Sequence, residues 1–231
     1  MGLLYRDGWE FVRQVRPLFK EQGTPHLRSF LACNWPGDRL VSLLECEYAD
    51  AVKLALVCLS LIGTRNHCER IALKLHDDDA TTVKFAEHAL WTIWFHSGNR
   101  VYSRLLKQAV RFIDEGVYRP AILLLNRIVE RCPDFAEAYH QRSAVCFLTG
   151  DYDQALLDGR RVLYHNPLHF GAMAYLGHSY AAAGAVVAAV EMYQAALQVH
   201  PHFEAAHQAM QYAQASISNS GSSLESPIPD A

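Results

Sequence analysis

The 231-residue sequence lacks the features that mark several protein classes. It has no basic excess, since 21 Lys and Arg stand against 24 Asp and Glu. A nucleic-acid partner, which usually needs a basic face, is therefore not expected. The longest apolar run, 54–63, is interrupted by Ser60, and it is about half of the roughly 20 residues that a membrane span needs. Arg6, Asp7 and Glu10 interrupt the apolar stretch that a signal peptide would need. These absences predict a cytoplasmic protein without a membrane or nucleic-acid partner.

Cysteine is sparse as well, and its spacing fits no disulfide or metal framework. The six cysteines include no C-x-x-C pair, and most lie in helical apolar patterns. They are expected to be reduced, mostly buried thiols rather than nucleophiles. Twelve histidines raise the question of a metal site. However, the pairs His165/His169 and His200/His202 each enclose a proline and have no cysteine or carboxylate cluster at ligand spacing. We therefore expect no metal and no other cofactor.

The sequence does contain a repeat with a fixed period in its C-terminal half. Three residue types recur at one common interval, which we call the C-terminal period. The recurring prolines are Pro133, Pro167 and Pro201; the glycines are Gly116, Gly150 and Gly184; the alanines are Ala121, Ala155 and Ala189. Glycine in the left-handed conformation ends a helix, alanine lets two helices pack closely, and proline cannot continue a helix. The interval of about 34 residues is the length of a helix–turn–helix unit. The predicted fold class is all-α, a right-handed α-solenoid of antiparallel helix pairs.

These motifs resemble the tetratricopeptide repeat, and three copies would cover 101–203. Residues 204–217 resemble the helix that covers the last repeat, and 218–231 are predicted to be a disordered tail. Within the repeats, Asp151 is expected to cap a second helix, and the run 134–137 predicts a capping box at the start of a first helix. Gly159 stands where the family usually has a large residue, so loose packing is expected around it.

A second and shorter period, which we call the N-terminal period, occupies 37–100. The residues that recur include Leu44, Val52, Ala55, Leu59 and Ile62, followed by Leu75, Val83, Ala86, Leu90 and Ile93. Their spacing predicts amphipathic helices, and the aspartates 77–79 suit the positive end of the second long helix. This segment resembles two HEAT-like repeats. Residues 1–36 are predicted to form an N-terminal helical cap, which begins with an amphipathic helix that includes Trp9 and Phe11.

The tetratricopeptide resemblance implies a binding site. In that family the first helices line a concave groove that holds a peptide or a protein segment. The corresponding positions are Leu106, Val110, His140, Ala144, Phe147, Ala174, Tyr175, His178, Gln208 and Tyr212. Aromatic and histidine side chains mixed with small ones suit a peptide with apolar anchors. The alternative for some of these residues is ordinary packing against the neighbouring helix.

One subgroup of the family clamps the C-terminal carboxylate of heat-shock chaperones with lysine, asparagine and arginine side chains. The corresponding positions in this sequence hold Leu106, Val110, Gln141, Gly171 and Tyr175. None of these five side chains carries a positive charge, so binding of that type is not expected.

The sequence thus predicts a non-enzymatic scaffold that binds a protein or peptide partner in the tetratricopeptide groove. Two alternatives remain. One is an accessory or lyase-like protein that acts through the HEAT-like portion, and the other is a structural protein that self-associates. The iron-binding hydroxylases among HEAT-repeat proteins use repeated His-Glu pairs, whereas Glu87 and His88 have the reverse order here.

Overall fold

The computed structural model describes residues 3–21, 24–96 and 99–222. Every regular element in those ranges is a helix, which confirms the all-α prediction. The chain divides into two compact units, Met1–His96 and Ser97–Ala231. Within the described ranges, no helix combines the length and the apolar character that crossing a bilayer requires.

The first unit contains short and long helices. They are α1 (Leu3–Val15), α2 (Leu18–Glu21), α3 (Thr24–Asn34), α4 (Gly37–Ser42), α5 (Ala49–Ile62), α6 (Cys68–Ala72) and α7 (Ala80–Trp94). Helix α1 ends two residues before Pro17, as expected for a residue that cannot continue a helix. Short 3-10 turns lie at Leu43–Glu45, Arg65–His67 and Leu73–His76.

Helix α5 forms the centre of the first unit and contacts α1, α3, α4 and α7. Its residues Leu56 and Leu59 are fully buried. Phe11 of α1 packs edge-on against Trp35, with 4.9 Å between the ring centroids. Trp9 does not share that buried face, because its side chain is 53% exposed. The guanidinium of Arg13 lies 5.3 Å from the centroid of the Trp9 ring.

The N-terminal period corresponds to a repeated order of elements. A short helix, a 3-10 turn and a long helix occur first as α4 to α5 and again as α6 to α7. Asp79 caps α7, where its carboxylate accepts the backbone N–H groups of Thr81 and Thr82. This agrees with the role expected for the aspartates that precede the helix. The HEAT-like resemblance itself stays a prediction.

The second unit consists of paired helices. They are α8 (Arg100–Asp114), α9 (Tyr118–Arg131), α10 (Ala136–Leu148), α11 (Tyr152–His165), α12 (Phe170–Ala182), α13 (Val186–Val199) and α14 (Glu204–Ser222). Helix α14 continues beyond residue 217, so residues 218–222 of the predicted tail are helical. The rest of that predicted tail, 223–231, lies outside the described residues.

The glycines and alanines of the C-terminal period have the roles that the sequence predicts. Gly116, Gly150 and Gly184 have φ angles of 72°, 82° and 79°, in the left-handed region. Side chains other than glycine rarely adopt this conformation. The three period-related alanines are fully buried. Asp151 caps α11 by accepting the N–H of Gln154.

Two local expectations are wrong. The predicted capping box at 134–137 does not form, because Phe135 is the N-cap of α10 and Glu137 is fully buried. Its carboxylate pairs with His169 at the start of another helix rather than with its own helix start. Loose packing at Gly159 is also wrong. A Cβ atom there would lie 2.6 Å from the side chain of Leu176, so the absence of a side chain permits close contact between α11 and α12.

The first helix of each pair forms an inner layer of the second unit. Within pairs, α8 packs on α9, α10 on α11, and α12 on α13. The first helices also contact one another, since α10 touches both α8 and α12, and α12 touches α14. This layer carries the residues that the sequence predicts for the binding groove.

Candidate binding groove

A groove of about 570 Å³ is bounded by residues of α10, α12, α13 and α14. Its lining consists of Phe147, His178, Ala181, Val186, Tyr193, Ala205, Gln208, Ala209, Tyr212, Ala213 and Ser216. None of these described residues is Asp, Glu, Lys or Arg. The groove therefore presents aromatic rings, small apolar side chains and a few neutral hydrogen-bonding groups.

The ten residues predicted for the groove fall into three groups. Phe147, His178, Gln208 and Tyr212 line it directly. Tyr175 and Val110 are half-buried, and the ring of Tyr175 lies 6.2 Å from that of Phe147 and 5.9 Å from that of His178. Four are buried and present little surface to a partner: Leu106, His140, Ala144 and Ala174.

His178 and Tyr193 form a hydrogen-bonded pair in the groove wall. The distance between His178 Nδ1 and the Tyr193 hydroxyl oxygen is 2.8 Å. Burial lowers the pKa of His178 and raises the pKa of Tyr193, so both are neutral at pH 7. Gly177 makes this arrangement possible, because a Cβ atom there would lie 2.4 Å from Tyr193 Cε1. The ring can lie directly against α12 only because that side chain is absent.

Tyr175 also contacts a buried polar cluster, which we define as Glu137, His140 and His169. The ring of His140 lies 5.4 Å from that of Tyr175 and 4.5 Å from that of His169. His169 Nε2 lies 2.9 Å from Glu137 Oε2, and Gln141 Nε2 donates to Glu137 Oε1 at 2.7 Å. The side chains of Glu137 and His169 are fully buried. The cluster connects α10 to the start of α12.

Burial controls the protonation of the cluster. It lowers the pKa of His169 to about 3. It also lowers the pKa of His140 to about 4, and the neighbouring His169 contributes to that shift. Both imidazoles are therefore neutral at pH 7. Burial raises the pKa of Glu137, although His140 and the hydrogen bond from Gln141 act in the opposite direction.

The cluster has the residue types of a metal site, and its three candidate ligand atoms lie within 4.8 Å of one another. However, the position of the proton on His169 is unfavourable for metal coordination. His169 Nδ1 accepts the N–H of Ala172 at 3.1 Å, so the proton of the neutral ring is on Nε2, which faces Glu137. A nitrogen that carries a proton cannot offer its lone pair to a metal ion. The geometry fits a hydrogen-bonded core cluster, and the expectation that the chain binds no metal stays a prediction.

Sequence reasoning missed this cluster because it assigned each member a separate role. Glu137 was expected in a capping box and His140 in the groove, and His169 was considered only together with His165. One signal was available in the C-terminal period. Phe135 stands one period before His169 and Phe203 stands one period after it, so an imidazole replaces a phenylalanine at one repeat position.

No family model matches this sequence. A tetratricopeptide-repeat-containing protein of Rhizobium etli is 31% identical over 80 residues, which are 35% of this chain and 39% of that protein. The matched segment thus spans about two-fifths of the relative's length.

Solved structures of tetratricopeptide domains resemble the chain. The domain of Sgt2 from Aspergillus fumigatus superposes with a TM-score of 0.54 at 17% identity, over 58% of this chain and 89% of that domain. This likeness shows the fold. The first such domain of Spaghetti (RPAP3), bound to the HSP90 peptide SRMEEVD, gives a TM-score of 0.49 at 16% identity, over 51% of this chain and 93% of that one. MamA also gives 0.49, at 25% identity, over 58% of this chain and 78% of that one. Scores this low carry no argument on function.

Proposed function

We propose that this chain, which contains tetratricopeptide repeats, is a non-enzymatic scaffold that binds a protein segment in the groove between α10, α12, α13 and α14. One observation carries the proposal. Phe147, His178 and the pair Gln208/Tyr212 come from three different inner-layer helices, yet they line one groove. Each belongs to the set that the tetratricopeptide resemblance implies for ligand contact.

The lining indicates the chemistry of the partner. Tyr212 is 82% exposed, which leaves the apolar surface of its ring available to a partner. Phe147 and the half-buried Tyr175 add two further rings. Tyrosine is enriched among the few residues that dominate the binding energy of protein interfaces. A segment with aliphatic or aromatic anchors, and with backbone groups that pair with Gln208, would fit this surface.

An acidic chain end fits it poorly. In this chain Leu106 and Gly171, which stand at two of the clamp positions, are buried, and the groove lining contains no Lys or Arg. A carboxylate brought into this groove would lose its hydration without gaining a cationic partner. We therefore propose an internal or uncharged segment as the ligand.

Two observations support a non-catalytic role. Burial raises the pKa of Cys58 to about 12 and that of Cys146 to about 11, so both thiols are protonated and weakly nucleophilic at pH 7. The buried histidines of the cluster are neutral, and His169 uses both ring nitrogens in hydrogen bonds.

The test is a selection of peptides from a random library on the wild-type chain at pH 7.4. Counter-selection uses the variant Phe147→Ala/Tyr175→Ala/His178→Ala. The selected peptides, synthesised with a fluorophore, are measured by anisotropy against the wild type and single variants. We expect Tyr212→Ala to raise Kd by about tenfold or more, as is typical of an interface hot spot.

The matched control is Tyr164→Ala. Tyr164 is also strongly exposed, at 78%, but it lies on α11 outside the groove lining, so its loss should leave Kd unchanged. Circular dichroism confirms that each variant is folded. If peptides are enriched on the wild type before counter-selection but none survives counter-selection on the triple variant, the groove is refuted as the site. Loss of binding on amidation of the peptide's C-terminus would refute the proposed ligand chemistry.

A further inference from the structure

The start of helix α12 depends on the ring of His169. This residue is the N-cap of α12, and its Nδ1 accepts the backbone N–H of Ala172 at 3.1 Å. The other ring nitrogen lies 2.9 Å from Glu137 Oε2. Since Nδ1 accepts, Nε2 must carry the proton and donate it to the carboxylate. The side chain has no exposed surface.

The equivalent position in the preceding repeat has no such dependence. Phe135 is the N-cap of α10, and no side-chain hydrogen bond caps that helix. Residue 203, one period after His169, is again phenylalanine. The repeat therefore tolerates an apolar ring at this position, whereas His169 adds a hydrogen-bonded cap that can take up a proton.

We propose that His169 is a proton-sensitive cap of α12 and that acidification weakens ligand binding by opening the start of this helix. A proton added at Nδ1 would convert the acceptor into a donor that faces another donor, the N–H of Ala172. It would also place a positive charge at the positive end of the helix macrodipole. Helix α12 carries Tyr175 and His178, so loss of its first turn displaces residues of the groove. The effect on binding rests on the function proposed above, whereas the effect on the helix does not.

The surrounding groups determine the direction of the pH effect. Glu137 and His140 of α10 are titratable groups that face the ring, and Tyr175 of α12 contacts His140. Burial holds the pKa of His169 at about 3 and that of His140 at about 4. Both values lie below about 6.5, the value of an unfolded histidine. The closed state therefore binds fewer protons, and its stability, complete above pH 6.5, is lost as pH falls towards 3–4. Glu137, whose pKa burial raises, offsets part of this loss.

Hydrogen–deuterium exchange of the full chain tests the cap without any ligand. Exchange of the segment 170–176 is measured at pH 7.5 and 5.0 and corrected for intrinsic rates. For each proton that only the open state binds, the equilibrium constant for closing falls about tenfold when the pH is lowered by one unit. We therefore expect protection of this segment in the wild type to fall by about tenfold or more. His169→Asn keeps a side-chain acceptor at the N-cap but removes the ring that titrates there, so its loss of protection should be clearly smaller than that of the wild type.

His202→Asn is the matched control, because it removes an exposed histidine and should behave as the wild type does. Equal loss of protection in the wild type and His169→Asn would overturn the proposal. If His169→Asn proves unfolded by circular dichroism, ¹⁵N chemical shifts of the wild-type imidazole decide the matter. A protonated Nδ1 at pH 7.5 would overturn the proposal, and an unprotonated one would support it.

Binding is then measured at both pH values with a peptide selected at pH 7.4. Weaker binding at pH 5.0 to the wild type than to His169→Asn is expected, and the same pH dependence for both proteins would contradict the coupling to the groove. A failure to obtain any peptide, together with acid-dependent exchange, would reject the proposed function while leaving the cap intact.

Discussion

Asp158 forms a buried ionic network that offers a sharp test of how the repeats are held together. Its carboxylate accepts hydrogen bonds from Arg142 Nε and Nη2, both at 2.7 Å, and from Gln154 Nε2 at 3.1 Å. Arg142 Nη1 donates to Asn126 Oδ1 at 2.8 Å. The network therefore joins α9, α10 and α11. The bond to Asp158 raises the pKa of Arg142, which stays charged at every practical pH.

The expected effect of Asp158→Ala follows from burial. The Asp158 side chain is 2% exposed and that of Arg142 is 16% exposed, so the substitution leaves a guanidinium in the interior without its anion. Removing one partner of a buried pair typically costs about 3–5 kcal/mol of unfolding free energy. That is a large part of the roughly 5–15 kcal/mol that stabilises a typical domain. The double variant Arg142→Met/Asp158→Leu removes both charges, so it should cost much less than the sum of Arg142→Met and Asp158→Leu measured singly.

Urea unfolding at pH 7.5, followed by far-UV circular dichroism, measures these differences. All four tryptophans lie in residues 9–94, so their fluorescence monitors the first unit separately. The control is Asp50→Ala. Its pair with Arg16 spans 3.6 Å, and the two side chains are 55% and 69% exposed, so a loss of only about 0–1 kcal/mol is expected. Strictly additive single and double changes, or a loss from Asp158→Ala as small as that control, would refute the reasoning.

Three further predictions concern the groove and the cluster. Gly177→Ala should destabilise the chain by about 1–3 kcal/mol, as overpacking does, because the new methyl group would overlap Tyr193. Thermal unfolding measures this loss, and a gain in stability would contradict the prediction. The free energy of unfolding should fall as pH drops below about 6.5, by up to about 1.4 kcal/mol per pH unit for each of His140 and His169. Glu137 acts in the opposite direction. Urea titrations from pH 7.5 to 4.5 measure this change, and an unfolding free energy that does not vary with pH would count against it. Equimolar Zn²⁺ should leave the unfolding temperature unchanged, since His169 Nε2 carries a proton; a rise that His169→Asn abolishes would establish a metal site instead.

The features that the sequence predicted correctly depend on local backbone chemistry. The left-handed conformation of Gly150 and the cap formed by Asp151 each involve only a few neighbouring residues. The burial of Ala155 follows from the closeness of two helices that are joined by a short turn. Such constraints repeat whenever the local sequence repeats, so a fixed period was sufficient to predict helices, turns and their order.

The features that it missed depend on contacts between repeats. The pattern at 134–137 satisfies the local rule for a capping box, but Glu137 pairs with His169 in the following repeat. Gly159 departs from the family pattern, and only its contact with Leu176 of the next helix shows that the departure produces tight packing. In the groove, the repeat pattern did not distinguish Phe147, which lines it, from Ala144, which is buried one turn earlier on the same helix.

The packing of the fold does not by itself require a histidine at residue 169. Phe135 is fully buried at the equivalent position of the preceding repeat, where an apolar ring meets the packing requirement without any hydrogen bond. At the same position, His169 buries a hydrogen-bond acceptor and a donor together with the carboxylate of Glu137. Burying these polar groups costs free energy, whereas burying the ring of a phenylalanine does not carry this cost. What the imidazole adds is a ring nitrogen that can take up a proton at the start of the helix that carries Tyr175 and His178. A phenylalanine cannot supply that response, so the cluster gives α12 a dependence on pH that the repeat fold does not need.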